Sequence, residues 1–213
     1  MTLAELRIAL AGDLADAAIF DGWSDAAVVS AAQAHGISPD PARAAFAKGP
    51  MAMIEAWIDA IDVAMHRALP ASALAALPVR ERIRRLVQFR LDAVSGREEA
   101  LRRAQAIMAM PQNGGRALRL GWRSADAMWR LAGDTATDYN HYTKRATLAA
   151  LYGATLAVFV GDQSEGKADT RAFLDRRIEG VMRFEKAKAR LLRPSGESFS
   201  LVRLAGRLRY PAR

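Results

Sequence analysis

VRERIRRLVQFRLDAV, residues 79–94, settles the fold class. Val79, Ile83, Leu86, Val87, Leu91 and Val94 recur at intervals of three and four, the spacing that brings side chains onto one face of an α-helix. Arginine and glutamate dominate the other face, so the stretch predicts an amphipathic helix resting on a core. MAMIEAWIDAIDVAMHRAL, residues 51–69, repeats the pattern with Ile54, Trp57, Ile58, Ile61 and Met65. Outward from these two segments, glycines and prolines punctuate the chain as loops do. Between them the spacing predicts helices at 3–19, 24–35, 40–47, 51–68, 79–94, 97–109, 114–131, 138–160, 168–191 and 198–209. No stretch alternates as a strand would, and no long repeat or low-complexity segment interrupts. The chain reads as all-α, with about nine or ten helices.

Its 213 residues suffice to bury a core, and 51% of them are apolar. There is no cysteine, which excludes disulfides, thiolate metal sites and cysteine nucleophiles. The longest apolar run, ATLAALYGATLAVFVG at 146–161, falls short of the ~18–20 residues that span a bilayer. The acidic start, MTLAELRIALAGDLADAAIF, has neither the charge nor the cleavage site of a leader, so the expected location is the cytoplasm. Charge is unevenly shared. Residues 1–78 hold four basic side chains against nine acids, a balance of −5, which leaves +13 for residues 79–213. The stretch 183–213 alone carries +7. A basic end of this kind points to an anionic partner.

Three organisational segments follow: 1–69, 79–191 and 198–210. The first places two short helices around the turn GISP, the layout of a helix-turn-helix, and a longer helical body behind it resembles the TetR-type repressors. The helix that would read bases is PDPARAAF, with one Asp, two prolines and a single Arg. It lacks the Asn, Gln, Lys and Ser that contact base edges and phosphates. A head of balance −5 would also be repelled by a phosphate backbone. The expected head is a degenerate helix-turn-helix that binds no nucleic acid.

Catalytic signatures are missing. Neither GxGxxG, GxxxxGK[ST] nor GxSxG occurs. Asp62 and His66 stand four apart on a helix, but one pair is far from a metal site, and a half-exposed polar stripe is the simpler reading. No Glu-x-x-His occurs, as a di-iron bundle would require. The chain is expected to be no enzyme and to need no cofactor or metal.

Two segments stand out beyond the core. GDTATDYNHYTKR, 133–145, concentrates polar and aromatic side chains between two apolar helices. Thr137 or Asp138 would cap the next helix, yet one cap does not require Tyr139, Asn140, His141, Tyr142, Thr143, Lys144 and Arg145 as well. SFSLVRLAGRLRY, 198–210, sets Phe199, Leu201, Leu204 and Leu208 against Arg203 and Arg207, an amphipathic basic helix suited to an anionic membrane surface or to packing on the body. Large soft side chains on the body helices, Met108, Met110, Trp122, Met128, Trp129, Leu151, Tyr152 and Phe159, could line a pocket or fill an ordinary core. Spacing does not separate those alternatives.

Residues 121–184 resemble the Coq-nine family, lipid-binding accessory proteins of ubiquinone biosynthesis, in an alphaproteobacterial form. The pieces are SADAMW (124–129), GDTATDYNHYTKR (133–145), Tyr152 with Thr155, Asp162-Gln-Ser, and TRAFLDRRI (170–178). The resemblance implies a TetR-like fold, a homodimer, and a pocket for an isoprenoid quinone or phospholipid lined by the eight side chains just named. It implies a docking surface at Asp138, Tyr139, Asn140, His141, Tyr142, Lys144 and Arg145 for the demethoxy-ubiquinone hydroxylase or another enzyme of that pathway. It also implies membrane contact by the terminal helix, hence a peripheral place on a bacterial inner membrane. Where the family commonly has an aromatic residue, this chain has His141. Two rivals remain: a ligand-responsive TetR-type regulator, and an enzyme built on Asp134, Asp138 and His141.

Overall fold

The computed structural model describes residues 1–135 and 139–192, without the side chains of Tyr139 and 184–192. Every regular element among them is helical: α1 (Leu3–Asp21), α2 (Asp25–Ala34), α3 (Pro39–Ala45), α4 (Pro50–Ala68), α5 (Ala71–Leu74), α6 (Val79–Val94), α7 (Glu98–Met108), α8 (Gly114–Leu131), α9 (Tyr139–Gly161) and α10 (Ala168–Leu192). Short 3₁₀ turns precede α8 and α10. Residues 1–178 form one compact unit, and the end of α10, Glu179–Leu192, belongs to a second. The terminal helix expected at 198–209 lies outside the described residues, and so do Thr137 and Asp138.

Local chemistry sets the helix ends. At the start of α1, Thr2 Oγ1 accepts from the Glu5 amide while Glu5 accepts from the Thr2 amide, a reciprocal capping box. The buried stripe of α1, Leu6, Leu10, Leu14 and Ala18, packs against α2, α3, α4 and α7. Small residues in it, Ala11 and Ala15, let these axes approach closely. At the end of α8, Gly133 has φ +85°, and its amide and that of Asp134 donate to Arg130 and Trp129 carbonyls. This is a Schellman stop, whose left-handed position favours glycine.

The α6 stripe is buried as expected from Ile83 to Val94, with two corrections. Val79, at the first helical position, is 46% exposed. Arg90, which falls in phase with the apolar residues, is 1% exposed. The one-turn α5 escaped the sequence reading because four residues between Pro70 and Pro78 carry no period.

The charge asymmetry of the chain is used inside the fold. Four acids of the first 78 residues meet arginines of the body: Asp16 with Arg97 at 2.6 Å, Glu55 with Arg116 at 2.9 Å, Asp59 with Arg123, and Asp62 with Arg90. The last three acids stand along one face of α4, and two of their partners lie on α8, so the pairs set how α4 seats on the body. The first three pairs, which are partly exposed, contribute ~0–1 kcal/mol each, and their larger effect is on register; Asp62–Arg90 is buried. Burial pushes the Asp59 carboxyl above the ordinary aspartate value, although Arg123 opposes it.

Candidate functional site

A cavity of about 310 Å³ lies among α4, α6, α7, α8 and α9. Four helices contribute to its wall with the same spacing, i, i+3, i+4 and i+7. α4 supplies Ile54, Trp57, Ile58 and Ile61; α7 supplies Leu101, Ala104, Gln105 and Met108; α8 supplies Ala117, Leu120, Gly121 and Ser124; α9 supplies Ala149, Tyr152, Gly153 and Leu156. Each face is an ordinary helical stripe. The space between them exists because Ala104, Ala117, Gly121, Ala149 and Gly153 are too small to fill it. A Cβ added at Gly121 or Gly153 would meet nothing within 4 Å.

One part of this wall is closed and polar. Arg90 Nη2 donates to Ser124 Oγ at 2.9 Å, and Nη1 bonds the Asp62 carboxylate. The guanidinium lies over the Tyr152 ring, 5.0 Å from its centre. Burial works against the Arg90 charge, but Tyr152 and Asp62 outweigh it and hold its pKa above the ordinary arginine value. Nε, which is buried, has no partner. Gln105, Met108, Gly121 and Leu156 are half-buried and Gly153 is exposed, so the opening lies on the side of α7, α8 and α9.

Of the eight side chains expected at a pocket, the structure brings Met108 and Tyr152 to this wall. Met128, Leu151 and Phe159 are buried but outside the lining. Trp129 is held by a bond from Nε1 to the Lys144 carbonyl, 2.9 Å. Trp122 stands in a surface cluster, and Met110 is exposed. Sequence reading missed Arg90, Ser124 and the small residues. A signal for Arg90 existed, since it shares the phase of Ile83, Val87 and Val94. Asp62 and His66 make no metal pair: Asp62 turns to Arg90, while His66 Nδ1–H donates to the Asp62 carbonyl at 2.8 Å. Among the described residues no three His, Asp or Glu gather as metal ligands would.

The 133–145 stretch divides into a buried half and a surface half. Arg145 is 2% exposed; its Nε donates to Asp126 at 2.5 Å and its Nη1 to Asp134 at 3.0 Å. Lys144 Nζ also reaches Asp134, at 2.6 Å, and lies over the Trp129 ring. These bonds lock the first turn of α9 onto the last turns of α8. Facing outward, Tyr142 is 61% exposed, 6.0 Å from the Trp122 ring and 5.2 Å from that of His141. Asn140 is exposed beside them, its carbonyl accepting from Thr143 Oγ1 at 3.3 Å. Asp138 and the Tyr139 side chain lie outside the described residues.

Past α9, Asp162 organises the turn into α10. Its carboxylate accepts from the amide and hydroxyl of Ser164 and from those of Thr170, at 2.5–2.8 Å. The Ser164 and Thr170 bonds hold its pKa far below the ordinary 3.8. Because the folded value is depressed, the stabilisation is complete above 3.8 and is lost as the pH falls below it. Asp162→Asn is therefore expected to melt at lower temperature than the parent at pH 7. The gap should narrow toward pH 3, as melting curves across that range would show.

Comparison with known proteins bears on these sites. The family model described as COQ9 matches residues 115–185, a span that holds α8, the 133–145 stretch and α9. The ubiquinone biosynthesis protein COQ9, mitochondrial, of Homo sapiens is 32% identical over 184 residues, covering 83% of this chain and 57% of its own. Its counterpart from Rattus norvegicus gives 32%, 83% and 58%. The chain thus spans less than three-fifths of the curated relatives it matches. A crystal structure of a TetR transcriptional regulator from Nitrosomonas europaea superposes with a TM-score of 0.66 at 22% identity, covering 84% of this chain and 98% of that one. That likeness fixes the architecture as the TetR-like all-α fold. Identity to the curated relatives over most of its length, together with the matched α8–α9 span, shows that the chain belongs to the COQ9 family.

Proposed function

We propose that this protein is a non-enzymatic accessory of ubiquinone biosynthesis, which holds an isoprenoid quinone precursor in its cavity and offers it to a quinone-modifying hydroxylase at the membrane. The observation that carries the reading is the apolar cavity among α4, α7, α8 and α9, set in a chain of the COQ9 family. A polyprenyl tail is retained in a bilayer by ~0.8 kcal/mol per buried CH₂, so a water-facing enzyme gains from a partner with an apolar refuge. The cluster of exposed Tyr142 with half-buried Trp122 and His141 supports docking, because aromatics beside polar groups are what protein interfaces use. Lys144 and Arg145 would then act from beneath, by holding α9 in place. The tail 198–210 would hold the protein reversibly on an anionic inner membrane, and two copies would associate as a dimer. No described helix is long and apolar enough to cross a membrane.

The test is solvent extraction of the purified protein followed by mass spectrometry. Isoprenoid quinones or their precursors should appear enriched above the host membrane background. Gly121→Leu, which fills the empty space at the wall, should reduce the lipid recovered without lowering the melting temperature. An empty protein, or an unselected sample of phospholipid, would overturn the reading. The regulator alternative has the fold in its favour and predicts salt-sensitive binding to duplex DNA. Against it, the single arginine of α3, Arg43, is bonded to Asp25 of α2 at 3.0 Å.

A further inference from the structure

The cavity wall is not uniformly apolar, and its polar part is specific in what it can accept. Arg90 carries five N–H donors. One arm is engaged by Asp62 and another by Ser124, while Nε–H has no acceptor although the residue is 1% exposed. A buried donor without an acceptor costs ~1–3 kcal/mol, so it marks a place where a ligand oxygen would be bound. Ser124 Oγ accepts from Arg90, which leaves its own hydroxyl proton free to donate in the same region.

Charge decides which oxygen. Asp62 already balances Arg90, and the other acids on that face of α4, Glu55 and Asp59, are each balanced by their own arginine. The polar end of the cavity is therefore close to neutral. A phosphate would arrive there with no surplus positive charge to replace its water, at a heavy desolvation cost. A neutral carbonyl oxygen brings two lone pairs and no net charge, matching two donors. Position decides the orientation, since Arg90, Ser124 and Trp57 are buried, whereas Met108, Gln105 and Gly121 are half-buried and Gly153 is exposed.

We infer that the cavity takes its ligand head first, with a neutral carbonyl oxygen of the head group on Arg90 Nε and Ser124 Oγ and the hydrocarbon tail leading out past Gly121 and Gly153. This rests on the lipid-binding reading above and adds the ligand's polarity and direction to it. About 310 Å³ holds a single ring and the first part of a tail, and the rest of a long chain must pass the opening. In the carried state the reactive ring is sheltered from water, and the tail is what a membrane or partner meets first.

Two probes with the same ten-carbon tail separate head from tail: decyl-ubiquinone, a quinone, and decylbenzene, whose ring has no oxygen. Titration calorimetry on the full chain should give a dissociation constant at least about tenfold lower for the quinone, the worth of about 1.4 kcal/mol. The paired variant Arg90→Met with Asp62→Leu removes donor and counter-charge together, and should erase that preference while leaving decylbenzene binding intact. Ser124→Ala, a milder change, should reduce the preference several-fold and serves if the paired variant does not fold. An unchanged preference in a folded variant overturns the inference, as does equal binding of both probes by the parent. Tighter, Arg90-dependent binding of dihexanoyl phosphatidylglycerol than of the quinone would overturn the neutral head in favour of a phosphate. If the parent binds none of the three, the lipid-binding function fails with it, an outcome distinct from the others.

Discussion

Asp62→Leu alone is expected to cost about 3–5 kcal/mol of folding stability, because it leaves the Arg90 guanidinium buried without its counter-charge. A hydrophobic residue of similar size cannot repair this, since the loss is desolvation of the remaining charge and not a missing contact. Arg90→Met combined with Asp62→Leu should recover most of the loss, for replacing both members of a buried pair by apolar groups is often neutral. Urea unfolding of the three variants and the parent tests this as a double-mutant cycle. Nearly additive losses would mean that Arg90 is compensated by something other than Asp62. On stability alone such a pair gains little over Met and Leu in the same wall, which fits the ligand-binding role proposed for it.

The second large effect is expected at Arg145. Arg145→Met should cost about 1–3 kcal/mol, since two carboxylates lose a buried donor, Lys144 remaining on Asp134 and Arg130 on Asp126. On the docking role proposed above, it should also weaken capture of a partner enzyme, although the side chain faces inward, because the bonds it makes seat the first turn of α9 on α8. Tyr142→Ala is the complementary change. At 61% exposure it should move stability by no more than ~0.5 kcal/mol and yet reduce capture. Melting curves alongside co-purification separate the two. If Tyr142→Ala leaves capture unchanged while Arg145→Met abolishes it, the contact surface lies elsewhere and Arg145 affects capture through folding alone.

The dense polar stretch at 133–145 was therefore legible as more than a helix cap, but its internal division was not. Residues 142 and 145 stand three apart, about 60° from each other around the helix, so the edge of the buried face passes between them, and the sequence cannot say which of a tyrosine and an arginine faces the core. The usual preference would bury the tyrosine. Here two carboxylates, Asp126 and Asp134, arrive from α8 and the turn after it, and they make an inward arginine affordable. Likewise the opposed charges of the two halves suggested an external partner, whereas much of the head's acidity meets arginines of the same chain.

By itself the sequence determined the helical class, nearly all the helix boundaries and the family, because period, caps and breakers are local and the motifs of residues 121–184 are contiguous. Tertiary structure alone decided where the cavity lies. A void is a property of four stripes at once: each of α4, α7, α8 and α9 shows an ordinary, mostly apolar face when read singly, and only their packing reveals that five alanines and glycines leave the space between them unfilled. The same holds for Arg90, whose place on the buried face of α6 is stable only because Asp62 on another helix comes within bonding distance.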